Sequence, residues 1–221
     1  MAGGMDMSPQ AWAANGAAPS ADLADQPADR LAVVAQGFVG PAKLRFRNFR
    51  EDLERVQQAA MEAMRNDQIS KEDAEAIFMD DHHVVSLPLI QRYFEAQEFE
   101  LVGRWLLSRM ARVKTSWMGQ RNRIALDGMI AGGESALAVR LLRKYLSKLR
   151  EHTQRQWRAA GASRPSLSES DRQSLSSHLE IAEMELSEIE SYLSREGSRE
   201  DNRAAEKFRA ELDKVRQRFG L

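Results

Sequence analysis

The chain has 221 residues, 43% of them hydrophobic and 29% charged, with a net charge of −1 and no cysteine. This predicts a soluble protein with enough apolar mass for one or two cored domains, fits a reducing, cytoplasmic setting, and excludes a disulfide scaffold, a zinc ribbon and a thiol nucleophile. No apolar run reaches the roughly 18 to 20 residues that a membrane span needs, and the first residues lack the basic-then-apolar order of a secretory signal, so neither is expected.

Four of the six prolines (Pro9, Pro19, Pro27, Pro41) fall within residues 1–41, among Ala, Gly, Ser and Asp. That composition reads as a disordered acidic tail, relieved by Trp12 and the apolar Leu31, Val33, Val34, Phe38 and Val39. From residue 42 onward helix formers dominate and almost nothing alternates at period two, so the fold class is all-α. Only Val84 and Val85 invite a strand, and one strand makes no sheet.

A first helix is expected from near Pro41 to about Asn66, with Phe46, Phe49, Leu53, Val56, Ala60 and Met64 on one face. Ser70, with Asp73 three residues on, has the spacing of a capping box and opens a short helix that buries Ala74, Ile77 and Phe78. Ser86-Leu87-Pro88 starts another, because proline is tolerated in a first turn; it carries Leu89, Ile90, Tyr93 and Phe94. Next come helices bearing Leu101, Val102, Trp105, Leu106 and Val113, then Trp117, Ile124, Ala125 and Met129. Gly132-Gly133 stops the latter, and Glu134 opens a long helix with Leu137, Leu141, Leu142, Tyr145, Leu146 and Leu149.

Residues 161–168 read as a linker, dividing a helical domain (42–160) from a C-terminal part (169–221). In that part Leu175, Leu179, Ala182, Leu186, Ile189 and Leu193 step by four and three, a heptad seam of the coiled-coil kind. Gly197 ends the seam, Ser198 with Asp201 caps a last helix, and Ala205, Phe208, Leu212, Val215 and Phe219 repeat the spacing. The expected architecture is a set of helical hairpins in an irregular bundle or short solenoid, closed by an antiparallel C-terminal hairpin. Its seam, marked by Leu179, Leu186 and Leu193, packs on the body or pairs with a second copy.

A shift of 36 residues aligns Glu98, Leu101, Arg104 and Leu106 with Glu134, Leu137, Arg140 and Leu142, so the repeated unit is a helix pair. Gly133 and Ala138 stand where a turn glycine and a small residue belong in a tetratricopeptide-like hairpin, and the chain resembles that family weakly over residues 86–150. Gln97 and Val102 depart from its pattern in the first pair. The resemblance implies a scaffold that binds peptides or helices.

Charge is unevenly spread. Residues 101–158 hold thirteen bases against three acids, residues 51–81 ten acids against three bases, and residues 171–196 seven acids against two bases. Either acidic helices neutralise the basic ones within the molecule, or a free basic face recruits an acidic partner. The candidate basic face is Arg104, Arg112, Arg121, Arg140, Arg143 and Lys144, with Trp117 and Trp157 as candidate stacking aromatics.

Chemistry is thinly represented. Asp80-Asp81-His82-His83 concentrates potential metal ligands, but consecutive residues point apart, so no metal site or cofactor is expected. His152 and His178 fall on separate helices and are expected at the surface, and Gly128–Gly133 lacks the strand and Gly-Lys-Ser/Thr of a phosphate loop. The sequence predicts a non-enzymatic adaptor, chaperone-like or inhibitor-type binder. Its expected partner is another protein with an acidic or helical surface. A nucleic-acid-associated regulator using residues 101–158 is the second reading, and the C-terminal hairpin offers a route to self-pairing.

Overall fold

The computed structural model describes residues 27–40, 42–79, 83–110, 118–159 and 167–221. Among them every regular element is an α-helix: α1 (Pro27–Val39), α2 (Phe49–Arg65), α3 (Lys71–Met79), α4 (Ser86–Glu95), α5 (Phe99–Met110), α6 (Gln120–Ala131), α7 (Ser135–Ala159), α8 (Glu169–Glu196) and α9 (Arg199–Phe219). No helix among the described residues is long and apolar enough to cross a membrane. The chain divides into two units, Met1–Lys43 with Leu53–Pro88, and Leu44–Asp52 with Leu89–Leu221.

In the first unit α1 packs on α3. It lies inside the stretch 1–41 that composition reads as a tail, yet it buries Ala35 and Val39, and Arg30 reaches Asp73 at 3.4 Å. Trp12 lies outside the described residues. Leu53, Val56, Ala60 and Ala63 of α2 are buried at the three-and-four spacing of one helical face. Ser70 caps α3 as its spacing predicts, its Oγ accepting the Asp73 N–H at 3.1 Å. Phe78 departs from expectation: Ala74 and Ile77 are buried, while Phe78 is 53% exposed. Each residue turns a helix by about 100°, so the step from Ile77 carries Phe78 off the inward face. Val84 and Val85, considered for a strand, are buried in a turn before α4.

The expected helix start near Pro41 is also corrected, because residues 42–48 are not helical. The cause lies in the second unit. The buried Asp52 carboxylate accepts the N–H groups of Arg45 (3.1 Å) and Phe46 (3.0 Å) and the Tyr93 hydroxyl (2.6 Å). Satisfying that carboxylate curls the preceding chain, with Phe46 left-handed at φ 49°, and helical geometry begins only at Phe49.

The remainder of the second unit is three successive helical hairpins, α4–α5, α6–α7 and α8–α9. The helix pairs α5–α6, α5–α7, α7–α8 and α7–α9 join each hairpin to the next. The first two hairpins turn identically. Gln97 (φ 60°) donates to the Phe94 carbonyl and Glu98 to that of Tyr93; 36 residues on, Gly133 (φ 83°) donates to Ile130 and Glu134 to Met129. Behind the turns, Val102 and Ala138 are both fully buried, as are Leu106 and Leu142. The α2–α3 turn of the first unit has the same form, with Asp67 at φ 54° donating to Met64 and Gln68 to Ala63.

Close approach fixes how the hairpins meet. Phe94 of α4 and Phe99 of α5 stack at 4.7 Å against Gly128 of α6 and the Gly132 that caps it, where a Cβ on Gly128 would come within 2.4 Å of Phe94 and one on Gly132 within 2.4 Å of Phe99. All six seam positions of α8 are buried, and Ala205, Phe208, Leu212 and Phe219 of α9 are buried with them. Ser198 forms a capping box with Asp201, as its spacing predicts.

Candidate interaction surface

The basic residues singled out from the sequence have distinct fates. Arg140 on α7 donates from Nη2 to both carboxylate oxygens of Glu100 on α5 at 2.7 Å. Arg104, its counterpart by the 36-residue shift, approaches the same carboxylate at 3.6 Å. Arg143 makes a two-point bond with Asp201 on α9, Nε to Oδ1 at 2.6 Å and Nη2 to Oδ2 at 2.9 Å. Arg121 is buried, its guanidinium 5.3 Å from the centre of the Trp105 ring. Lys144 is exposed and makes no ion pair among the described residues. Arg112 and Trp117 lie outside the described residues. Trp157 is half-buried, and its Nε1 is turned inward without a hydrogen-bond partner among the described residues.

Other cations of the basic stretch are engaged in the same way. Arg123 of α6 meets Glu188 of α8 at 3.4 Å, Arg150 of α7 pairs with Glu211 of α9, and Lys148 and Arg155 both reach Glu151. Across the last hairpin Arg209 pairs with Glu190, and Arg216 with Glu183 at 2.7 Å. Five bases of the stretch, Arg104, Arg123, Arg140, Arg143 and Arg150, are thus opposed within the second unit by carboxylates from α5, α8 and α9.

The Arg143–Asp201 pair sits at the edge of a groove. Leu146 of α7 and Leu193 of α8 form its floor and Ala204 of α9 one wall; Arg143, Ser147 and Arg150 of α7 form the other, around a volume of about 450 Å³. The hydrogen bond from Arg143, helped by the Ser198 hydroxyl and N–H, holds the Asp201 carboxyl well below the usual carboxylate range against the opposing effect of burial. Ser147 stands between the two arginines on the α7 face, three or four residues from each. The groove thus offers two leucines and an uncharged hydroxyl between two ion pairs, with the Glu151 carboxylate and the Gln154 amide of α7 also on its lining. It suits a partner's small apolar or polar side chain better than a phosphate, which would have to displace Asp201 or Glu211.

Of the residues expected at a site, the groove brings together Arg143 and Leu193. Leu179 and Leu186 are fully buried along the same seam, filled by the protein's own helices. Sequence reasoning missed Trp105, which takes two cations: Arg109 lies 5.4 Å from its centre, and Phe49 packs 4.3 Å away. The spacing of Trp105 and Arg109, one helical turn, was the available signal. Nothing in the sequence marks Ser147, whose place on the groove depends on the α9 residues opposite.

Asp80, Asp81 and His82 lie outside the described residues, and among those described no group of three or more His, Asp or Glu side chains could hold a metal ion. The Gly128–Gly133 segment is a helix end: the N–H of Gly132 is bound to the Gly128 carbonyl and that of Gly133 to Ile130. His152 and His178, expected at the surface, are each half-buried, and His178 on α8 lies close enough to His152 on α7 to help hold the His152 imidazole below its ordinary range. Comparison of the chain with family models, curated proteins and solved structures gives no match.

Proposed function

We propose that the chain is a non-enzymatic protein-interaction scaffold whose second unit presents the α7–α9 groove to a side chain of a protein partner. One observation carries this reading: the arginines around the groove are already engaged by carboxylates of the same unit. The surface left for a partner is defined by shape and by the Leu146–Leu193 floor rather than by free positive charge. Phosphate backbones reward free cations through counterion release. Here much of that reward is offset by the cost of breaking internal pairs, which disfavours the nucleic-acid reading. The repeated hairpin turn supports the same conclusion, since stacked helix pairs give a rigid frame in which a groove keeps its form.

The test places a photo-crosslinking residue at Ser147 in the native host and identifies the adduct by mass spectrometry. A discrete protein adduct is expected, and it should disappear when Ala204→Trp fills the groove. A nucleic-acid adduct would overturn the reading. So would micromolar, salt-sensitive binding of arbitrary DNA or RNA that is lost on changing Arg140, Arg143 and Lys144 to Glu.

A further inference from the structure

The groove beside Ser147 is set apart by the hydrogen-bonding groups its side chains leave unused. Arg143 and Arg150 each meet a carboxylate through Nε and Nη2, those of Asp201 and Glu211 respectively, and Nη1 of each has no partner among the described residues. A guanidinium carries five N–H donors in a fixed fork, so both arginines keep donors after the ion pair is made. Ser147 adds a hydroxyl in the same condition. Ser108, Thr153, Ser191 and Ser194 all donate back to a carbonyl of their own helix, whereas Ser147 Oγ makes no bond among the described residues. The Gln154 carboxamide, further along the lining, is likewise without a partner there.

Charge balance decides what these groups can take. The lining holds two bases, Arg143 and Arg150, and two acids, Glu151 and Asp201. Lys148 is engaged by Glu151, and the exposed Lys144 does not line the groove. A carboxylate would therefore meet two carboxylates, and an ammonium two guanidiniums. A wholly apolar side chain would strip water from the unused donors and put no acceptor in its place. A carboxamide is neutral, accepts through its oxygen and donates through its nitrogen, and in glutamine it is carried on methylenes that match Leu146 and Leu193.

We infer that the groove is a recognition pocket for a glutamine side chain of the protein partner, an inference that rests on the scaffold reading above and names the chemistry of its anchor. The carboxamide oxygen accepts from the unused donors of Arg143 or Arg150, and the nitrogen donates to Ser147 Oγ or to the Glu151 carboxylate.

The test uses the full chain, isotopically labelled, and NMR titration with the N-acetyl methylamides of glutamine, glutamate, norleucine and alanine. The glutamine compound should shift the Ser147 amide and the Nε–H signals of Arg143 and Arg150, and the glutamate and norleucine compounds should bind at least roughly tenfold more weakly. The alanine compound, which offers backbone amides alone, should not bind. Ser147→Ala should weaken glutamine binding with no loss of melting temperature. Arg143→Lys with Arg150→Lys, which keeps both charges but neither fork, should weaken it further, and Ala204→Trp should abolish it. Tighter binding of glutamate, equal binding of the norleucine or alanine compound, no shift with any compound, or parent-like binding by Ser147→Ala would each overturn the inference. If a protein adduct still forms at Ser147 in any of those cases, the scaffold reading stands and only its glutamine anchor falls.

Discussion

Gln97 and Gly133, 36 residues apart, hold the same left-handed place in two copies of one turn, each donating its N–H three residues back. Only one of them is a residue that adopts this conformation without steric cost. Gln97→Gly should therefore stabilise the protein by about 0.5 to 1 kcal/mol, and Gly133→Ala should destabilise it by about 1 kcal/mol or more. Chemical denaturation of the two variants checks both signs, and equal effects would mean that the turns differ in solution.

Gly128 faces a different constraint, since its backbone is helical and its limit is the Phe94 ring. A methyl group there must displace the ring and unsettle its stacking on Phe99. Gly128→Ala should cost about 1 to 3 kcal/mol, more than any gain in helix propensity can offset. Adding Phe94→Leu should recover part of the loss, which a double-mutant cycle would measure.

Leu186 lies at the centre of the α8 seam with no exposed surface. Leu186→Ala should cost about 2 to 5 kcal/mol. Because α7 and α9 fill the seam from within the chain, the melting temperature should not vary with protein concentration. A concentration-dependent transition would assign the seam to a second copy instead.

Two groups of the second unit set separate pH windows. Burial, and then the charges of Arg155 and His178, push the His152 imidazole below its ordinary 6.5, so the folded state favours the neutral ring. The unfolded chain takes up the proton first. Stability is therefore complete above that value and declines as pH falls through it, until the folded protein is protonated too. The fall in melting temperature between about pH 8 and pH 5 should be smaller in His152→Gln. Asp201 acts at lower pH: its carboxyl is held down by Arg143, so the stability it contributes is present above about 4 and is lost on further acidification. Asp201→Asn should flatten that acid limb of the unfolding curve.

Helix ends and faces were legible in the sequence wherever a local rule governs them. Ser70 and Ser198 cap where their spacing predicts, Gly132-Gly133 ends α6, and every seam leucine is buried. The misses are long-range. The chain before Phe49 stays out of α2 where Asp52 gathers the N–H groups of Arg45 and Phe46 together with a hydroxyl from 41 residues further along the chain. Phe78 looked like core because its composition fits, but helical phase decides which side of α3 it occupies. The charge blocks could be counted from the sequence, yet which arginine meets which carboxylate depends on the register of α7, α8 and α9. For the same reason the groove beside Ser147 was invisible until α9 was in place.

The ion pairs of α9 make it a helix with an address on each side. Its acids, Asp201 and Glu211, answer the arginines of α7, and its arginines, Arg209 and Arg216, answer the glutamates of α8. Turned end for end or rotated about its axis, the helix would set like charge against like on at least one side. Its apolar stripe supplies adhesion and the charges supply orientation. Cut free at Gly197 and returned as a separate peptide, α9 would carry enough information to seat itself in one direction and one register, so that the severed halves could rebuild the hairpin without the link between them.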